Sequence, residues 1–285
     1  MAKKVIRNQA IVTIDGSEGT FGVSRYKEMC DRDLPLDATR AICEHEAAAA
    51  KEVADPWQNF YGDSLFLKRD WDLEDWRSYY DKMPGWDGCE GTGLGVTQFA
   101  DKVFWKTEAR AFFPLCGRAE DMKWAYDHGH TVVGLDGAEK PVQHFFEKYQ
   151  DLQHTVEELE YGKLYKSKDR RLQVFVCDIT DIALVVLGKF DVVVDCGAYT
   201  SIHPRDRARY VETVTSTLGR DYRYFLDVCH DAPPAATGQP QSIPLREVKR
   251  DFGSSRKLEF LRTEDISEEW GVDTFFQTYL IMEPK

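Results

Sequence analysis

Beyond Ala109 the apolar positions of the chain gather into short runs separated by amphipathic stretches. Ala111–Leu115 is a continuous apolar run of strand length, and Glu120–Asp127 after it has the composition of a helix. Gly129 breaks that helix before a second strand, Thr131–Leu135. Residues 138–149 then hold Val142, Phe145, Phe146 and Tyr149 on one side of a helix. Leu172–Cys177 and Phe190–Val194 read as the third and fourth strands, and the charged region Lys163–Arg171 can hold a hairpin. A helix over Pro204–Leu218, with Pro204 near its first turn, leads to a fifth strand at Tyr222–Val228. Pro244–Phe252 is a short helix, and Leu258–Leu261 and Thr274–Met282 are two last strands that can lie antiparallel across the Glu264–Gly271 connection. Strand–helix alternation predicts an α/β fold. The expected form is a Rossmann-like, seven-stranded, mostly parallel sheet with an antiparallel terminal hairpin and helices on both faces.

Ahead of this region the pattern is different. Residues 1–35 are polar, broken by Gly16, Gly19 and Pro35, and read as a loose tail. Ala38–Val53 is a good helix former that Pro56 ends. Residues 1–60 are therefore expected as a partly flexible N-terminal tail and helix, and 61–285 as the main domain. Asp72 can cap a helix in which Trp76 and Tyr80 lie four residues apart on one face, with Trp71 just before its start. Gly85, Gly88, Gly91, Gly93 and Gly95 make a glycine-dense connection.

Composition narrows the function classes. The 49 Asp and Glu against 37 Lys and Arg give a formal net charge of -12, which offers no broad footprint for nucleic acid or an anionic membrane. The longest apolar run, Ile182–Leu187, is too short to cross a bilayer, and the opening MAKKVIRNQA lacks the apolar segment of a secretory signal. Seven scattered cysteines suit reduced thiols and a cytoplasmic location rather than a disulfide framework. No short Cys or His pairing suggests zinc, and no metal is expected. A monomer or weak dimer is the expected assembly.

In an open α/β sheet a ligand binds beyond the carboxyl ends of the strands, where strand order reverses. Three such ends carry suggestive residues. Gly117, between the first strand and its helix, allows close backbone approach, and the N–H groups of the next turn suit a carboxylate such as that of S-adenosylmethionine. Asp136 ends the second strand, where a carboxylate can accept hydrogen bonds from both ribose hydroxyls. Asp178 and Ile179 follow the third strand, the first able to accept from an adenine amino group and the second to pack on the ring. Each also has a plainer reading: Gly117 as a simple turn, Asp136 as a helix cap, Asp178 as a strand terminator. A single glycine here is not the three-glycine fingerprint of a pyrophosphate-binding turn, which counts against a nicotinamide dinucleotide.

The segment Phe112-Phe113-Pro114-Leu115-Cys116-Gly117-Arg118-Ala119-Glu120-Asp121-Met122-Lys123-Trp124, continued through Gly129-His130-Thr131-Val132-Val133-Gly134-Leu135-Asp136, resembles the thiopurine S-methyltransferase family. Leu73-Glu74-Asp75-Trp76, Gly188-Lys189-Phe190-Asp191 and Trp270-Gly271-Val272-Asp273 extend the resemblance over about 70–285. It implies an S-adenosylmethionine-dependent methyltransferase of a small-molecule acceptor, with a thiol sulfur as the target. It also implies that Trp76 closes over the cofactor as part of an aromatic lid at 61–100, with Tyr80 as a second aromatic there. Leu115 and Gly117 then contact the cofactor in the first loop, Asp136 binds ribose, Asp178 and Ile179 flank adenine. Two departures stand out. Cys196 occupies a position where the family has arginine, and the Arg262–Gly271 segment is short and lacks a second arginine. Both point to an acceptor that is less anionic, or cationic.

On the acceptor side the candidates are Asp195, Cys196, Tyr199 and His230, with His230 placed to orient or deprotonate an acceptor. Their plain readings are a buried filler for Cys196, a cavity wall for Tyr199 and a strand-end hydrogen bonder for His230. An N-methyltransferase of an amine or heterocyclic nitrogen is the first alternative function. A nucleotide-dependent oxidoreductase, and a cofactor-binding protein that has lost turnover, are the others.

Overall fold

A computed structural model describes residues 3–6, 9–14, 17–22, 70–82, 95–181, 187–233, 239–253, 256–270 and 272–285. The expected helix at 38–53, the first residues of the expected lid at 61–69, and the boundary at 60 lie outside the described residues.

Near the N-terminus, β1 (Lys3–Ile6), β2 (Gln9–Ile14) and β3 (Ser17–Gly22) form an antiparallel sheet rather than the loose tail expected for 1–35. Ile6 pairs with Gln9 and Ile14 with Ser17. Asp15-Gly16, between β2 and β3 in the sequence, is a dipeptide favoured in hairpins, a signal that the polar composition of the segment obscures.

The main sheet is built from β4 (Arg110–Pro114), β5 (Thr131–Asp136), β6 (His154–Leu159), β7 (Gly162–Ser167), β8 (Leu172–Val176), β9 (Phe190–Asp195), β10 (Leu218–His230), β11 (Arg256–Asp265) and β12 (Phe276–Pro284). Its order is β11-β12-β10-β9-β4-β5-β8-β7-β6. The strands β8, β5, β4, β9 and β10 run parallel. β12 inserts antiparallel between β10 and β11, as the terminal hairpin requires. Seven of the nine strands match those read from the sequence. The other two, β6 and β7, form a hairpin at the β8 edge that starts at His154, ahead of the charged region 163–171 expected to hold one; that region instead carries β7 and its turn into β8.

Both faces of the parallel strands are buried, and the period of two sorts their side chains into separate cores. Phe112, Val133, Phe175, Val193 and Tyr224 fill one layer. Ala111, Phe113, Val132, Val174, Val192 and Phe225, their neighbours along the same strands, fill the other. The helices close these layers. They are α1 (Leu73–Lys82), α2 (Ala100–Val103), α3 (Glu120–Asp127), α4 (Glu139–Lys148), α5 (Ala198–Ser201), α6 (Arg207–Ser216), α7 (Leu245–Phe252) and α8 (Ser267–Trp270).

Strand order reverses between β4 and β9, so a crevice opens above their carboxyl ends. α1 lies over that crevice. The Asp75 N–H donates to Asp72 Oδ1 at 3.1 Å and the Asp72 N–H to Asp75 Oδ2 at 2.9 Å, a reciprocal cap on the first turn. Trp71, fully buried, meets Trp76 edge to face at 4.7 Å and fixes the angle at which the chain enters the helix. Arg77 Nε donates to the Gly137 carbonyl at 3.0 Å. A Cβ at Gly137 would sit 2.4 Å from Leu73 Cδ1, so the absence of a side chain lets α1 settle on the β5–α4 turn.

Candidate active site

A cavity of about 450 Å³ lies over the strand ends, within the usual range for small-molecule sites. The β4–α3 loop, the β5–α4 turn and the loop after β8 supply its floor, α1 one side, and Cys196 and Gly197 after β9 another. Every residue expected on the cofactor side lines it: Trp76, Tyr80, Leu115, Gly117, Asp136, Asp178 and Ile179.

The β4–α3 loop is held in an unusual backbone state. Leu115 has φ +44° and Gly117 φ +51°, both left-handed, and only glycine adopts this without strain. A Cβ at Gly117 would approach Tyr80 Oη to 3.0 Å. Strain at a β-carbon-bearing residue such as Leu115 persists where surrounding contacts impose it, commonly at ligand sites. The contact that fixes this loop is Asp136, whose Oδ2 accepts the Gly117 N–H at 2.7 Å. Its Oδ1 accepts the Ala138 N–H at 2.8 Å, so Asp136 does cap the next turn. Burial pushes its carboxyl up to about 6, against the lowering effect of those N–H donors. Two backbone bonds use about half of a carboxylate's acceptor sites, leaving the rest for hydroxyl donors. Asp178 Oδ1 accepts from the Thr180 N–H and hydroxyl, each at 2.8 Å, while Ile179 is 2% exposed beneath the cavity.

The expected acceptor-side residues divide. Cys196 lines the cavity. Burial and the fields of Asp227, Asp121 and Asp195 push its thiol well up, which keeps it neutral and unsuited to attack as thiolate. Asp195, Tyr199 and His230 do not line the cavity. Asp195 is fully buried and accepts from the Tyr210 hydroxyl at 2.7 Å, the Tyr224 hydroxyl at 2.6 Å and the Tyr199 N–H at 2.9 Å. The Tyr199 hydroxyl donates to Asp251 Oδ2 at 2.7 Å. His230 is held between Asp231 Oδ2 at 3.0 Å and Thr278 Oγ1 at 2.9 Å, its two ring nitrogens both engaged. These three therefore stand apart from the cavity, with their polar atoms engaged in hydrogen bonds elsewhere in the fold.

Three polar residues at this wall escaped the sequence reading: Asp121, Asp227 and Gln277. Asp227 Oδ1 accepts the Gly197 N–H at 2.7 Å and its Oδ2 the Gln277 amide at 3.0 Å. Asp121, on the first turn of α3, is 2% exposed. Burial first, then the negative field of Asp227, pushes its carboxyl up to about 7, and burial lifts Asp227 to about 7 as well. An acid in the middle of the apolar run Tyr224-Phe225-Leu226-Asp227-Val228 was the available signal.

A buried acid held above its unfolded value makes the folded chain bind protons more tightly than the unfolded one. Its stabilising, protonated form is therefore present at low pH and lost as pH rises through about 7. Asp121→Asn is accordingly expected to raise the melting temperature at pH 8, with the gain shrinking steadily as pH falls toward 5. Thermal melts across that range test this, and a gain that is flat with pH would contradict it.

Among the described residues, no group of three or more His, Cys, Asp or Glu side chains is arranged to hold a metal ion, and no helix is long and apolar enough to cross a membrane.

A family model for thiopurine S-methyltransferase matches residues 71–284. The thiopurine S-methyltransferase of Rattus norvegicus is 40% identical over 182 residues, which cover 61% of this chain and 75% of the relative. The probable thiopurine S-methyltransferase of Danio rerio is 32% identical over 222 residues, covering 75% of this chain and 95% of the relative. A solved SAM-dependent methyltransferase from Anabaena variabilis shares the fold at a TM-score of 0.52 and 11% identity, over 77% of this chain and 98% of that one. Given this match along the whole main sheet and a cavity at its switch point, the chain belongs to the thiopurine S-methyltransferase family and is an S-adenosylmethionine-dependent methyltransferase of small molecules.

Proposed function

We propose that this enzyme methylates the sulfur of a small-molecule thiol, with 61–285 as the catalytic domain and the aromatic segment 61–100 as its lid. The observation that carries the proposal is the cavity floor, where the strained Leu115–Gly117 loop is tied to a buried carboxylate with acceptor sites to spare. These residues fit the donor's three parts. Asp136 would hold the ribose hydroxyls, Asp178 and Ile179 would meet the adenine, and the N–H groups opening α3 would receive the methionine carboxylate. Trp76 and Tyr80, with ring centroids 6.2 Å apart, supply π faces beside a cationic sulfur and exclude water.

Bound there, S-adenosylmethionine would supply a methyl group activated by its sulfonium leaving group. The protein's share is alignment, since bringing acceptor and methyl into line provides much of the rate. A thiol acceptor gives up its proton, and Asp121 and Asp227, held near neutrality, are able to take it. The four cysteines of the described residues are all free, which supports a cytoplasmic site of action.

Calorimetry with S-adenosylhomocysteine, followed by a screen with methyl-labelled donor against aromatic and aliphatic thiols and matched amines, tests the reading. Labelled thioether with no labelled amine is the expected product. Label on nitrogen alone would replace thiol with amine transfer, and absent cofactor binding would remove the proposal altogether.

A further inference from the structure

The wall of the cavity formed by β9, β10 and β12 has a charge that the cofactor's adenosyl end does not account for. Asp227 reaches it from β10, Gln277 from β12 and Asp121 from the first turn of α3, with Cys196 among them. Asp227 is braced by the Gly197 N–H and the Gln277 amide. Asp121 is different. It lines the cavity, is 2% exposed, and its carboxylate receives no hydrogen bond among the described residues. A buried carboxylate without a donor is costly, and in native proteins such a group calls for a partner. Here the cavity is the side from which a donor or a cation can reach it. The rest of the lining leans the same way: Asp72, Glu120, Asp121, Asp136, Asp178, Asp206 and Asp227 stand against the two guanidinium groups of Arg118 and Arg205. Arg205 is already engaged with Asp206 at 3.2 Å.

We propose that Asp121 and Asp227 together form an anionic recess that selects a methyl acceptor carrying a positive charge, such as an ammonium group, close to its reacting atom. The recess rests on the methyltransferase reading of the cavity and adds the acceptor's charge class to it. The two acids, each lifted to about 7, take up their charge from neutral pH upward, and a carboxylate pair in a cleft then attracts a cation and repels an anion. Cys196 leaves room beside them: it is small and uncharged, so it neither competes for the carboxylates nor offers an anion a partner. Gln277 sets the orientation of Asp227, because its amide holds Oδ2.

The test uses four aliphatic thiols of similar length: 2-aminoethanethiol and its trimethylammonium analogue as cations, 2-mercaptoethanol as the neutral member, and 3-mercaptopropionate as the anion. Each is measured on the full chain in two ways, by kcat/KM for S-adenosylhomocysteine formation and by calorimetric binding to the complex with S-adenosylhomocysteine. Cations are expected to exceed the anion by about tenfold or more in both readouts. In Asp121→Asn and Asp227→Asn that ratio is expected to collapse to within about threefold, while affinity for S-adenosylhomocysteine stays near that of the unaltered chain. Both substitutions remove a buried charge and keep the side-chain volume, so folding is preserved, and Asn at 227 still accepts the Gly197 N–H.

Equal or tighter binding of the anion by the unaltered chain would overturn the recess. So would variants that weaken cofactor binding yet leave the charge preference intact, since the carboxylates would then serve the cofactor's own ammonium. Absence of turnover with all four thiols would count against the thiol reading alone, because the binding series still decides the charge preference.

Discussion

Asp136→Ala is expected to lower affinity for S-adenosylhomocysteine by about 100-fold, which corresponds to about 2.7 kcal/mol. A hydrogen bond to a charged acceptor contributes about 1.5–3 kcal/mol, and the ribose offers two hydroxyls to this carboxylate. Part of any loss would come from the loop, because the same side chain holds the Gly117 and Ala138 N–H groups at 2.7 and 2.8 Å. A ligand pair separates these contributions. If Asp136 meets the ribose, a 2′,3′-dideoxy analogue binds the unaltered chain weakly and loses little more on substitution, so the two changes are not additive. An equal fold-loss for both ligands would make Asp136 a loop anchor only. The same carboxyl predicts a pH dependence with a definite sign. It stands at about 6 in the empty cleft, and hydroxyl donors favour its ionised form. Affinity is therefore expected to be level above about pH 6 and to fall toward tenfold per unit below it.

The sequence made the parallel core legible because each of its strands is apolar on both faces. Phe112 and Phe113 are adjacent yet buried in opposite layers, and a continuous apolar run is how such a strand reads. The cofactor end was legible for a related reason. Gly117, Asp136 and Asp178 each fall at a strand terminus, and topology alone assigns ligands to those termini. The acceptor end was not. Asp195 also terminates a strand, so position along the chain gives it the same standing as Asp136, and only the packing separates them. Asp195 turns into the layer that holds Tyr210 and Tyr224, whereas Asp136 turns toward the cavity. Asp227 was hidden by the reverse effect: it lies inside β10, where a strand reading looks for apolar residues rather than for ligands. The N-terminal strands were missed because polar composition outweighed a single short hairpin signal, Asp15-Gly16.

Replacing Asp195 by alanine is expected to cost about 3–5 kcal/mol of stability, a large fraction of what a domain of this kind has. The side chain is fully buried, and three donors converge on it: two tyrosine hydroxyls at 2.6 and 2.7 Å and the Tyr199 N–H at 2.9 Å. Removing the carboxylate takes the shared acceptor from all three, and Tyr210 and Tyr224 keep only each other as partners. An unmet buried donor costs about 1–3 kcal/mol, and the cavity left behind adds to it. Burial raises the Asp195 carboxyl even so, which shows that the network tolerates rather than perfects a charge at this point. Asp195→Asn then separates the two components. Its amide oxygen can accept from part of the network and its volume is unchanged, so less than half of the alanine loss is expected. Urea unfolding of both variants, with S-adenosylhomocysteine affinity measured on the folded protein, distinguishes a structural aspartate from a catalytic one. A structural Asp195 lowers the unfolding midpoint and leaves cofactor affinity within about threefold of the unaltered value. An alanine variant with an unshifted midpoint and no methyl transfer would place the chemistry at Asp195 and remove it from the core.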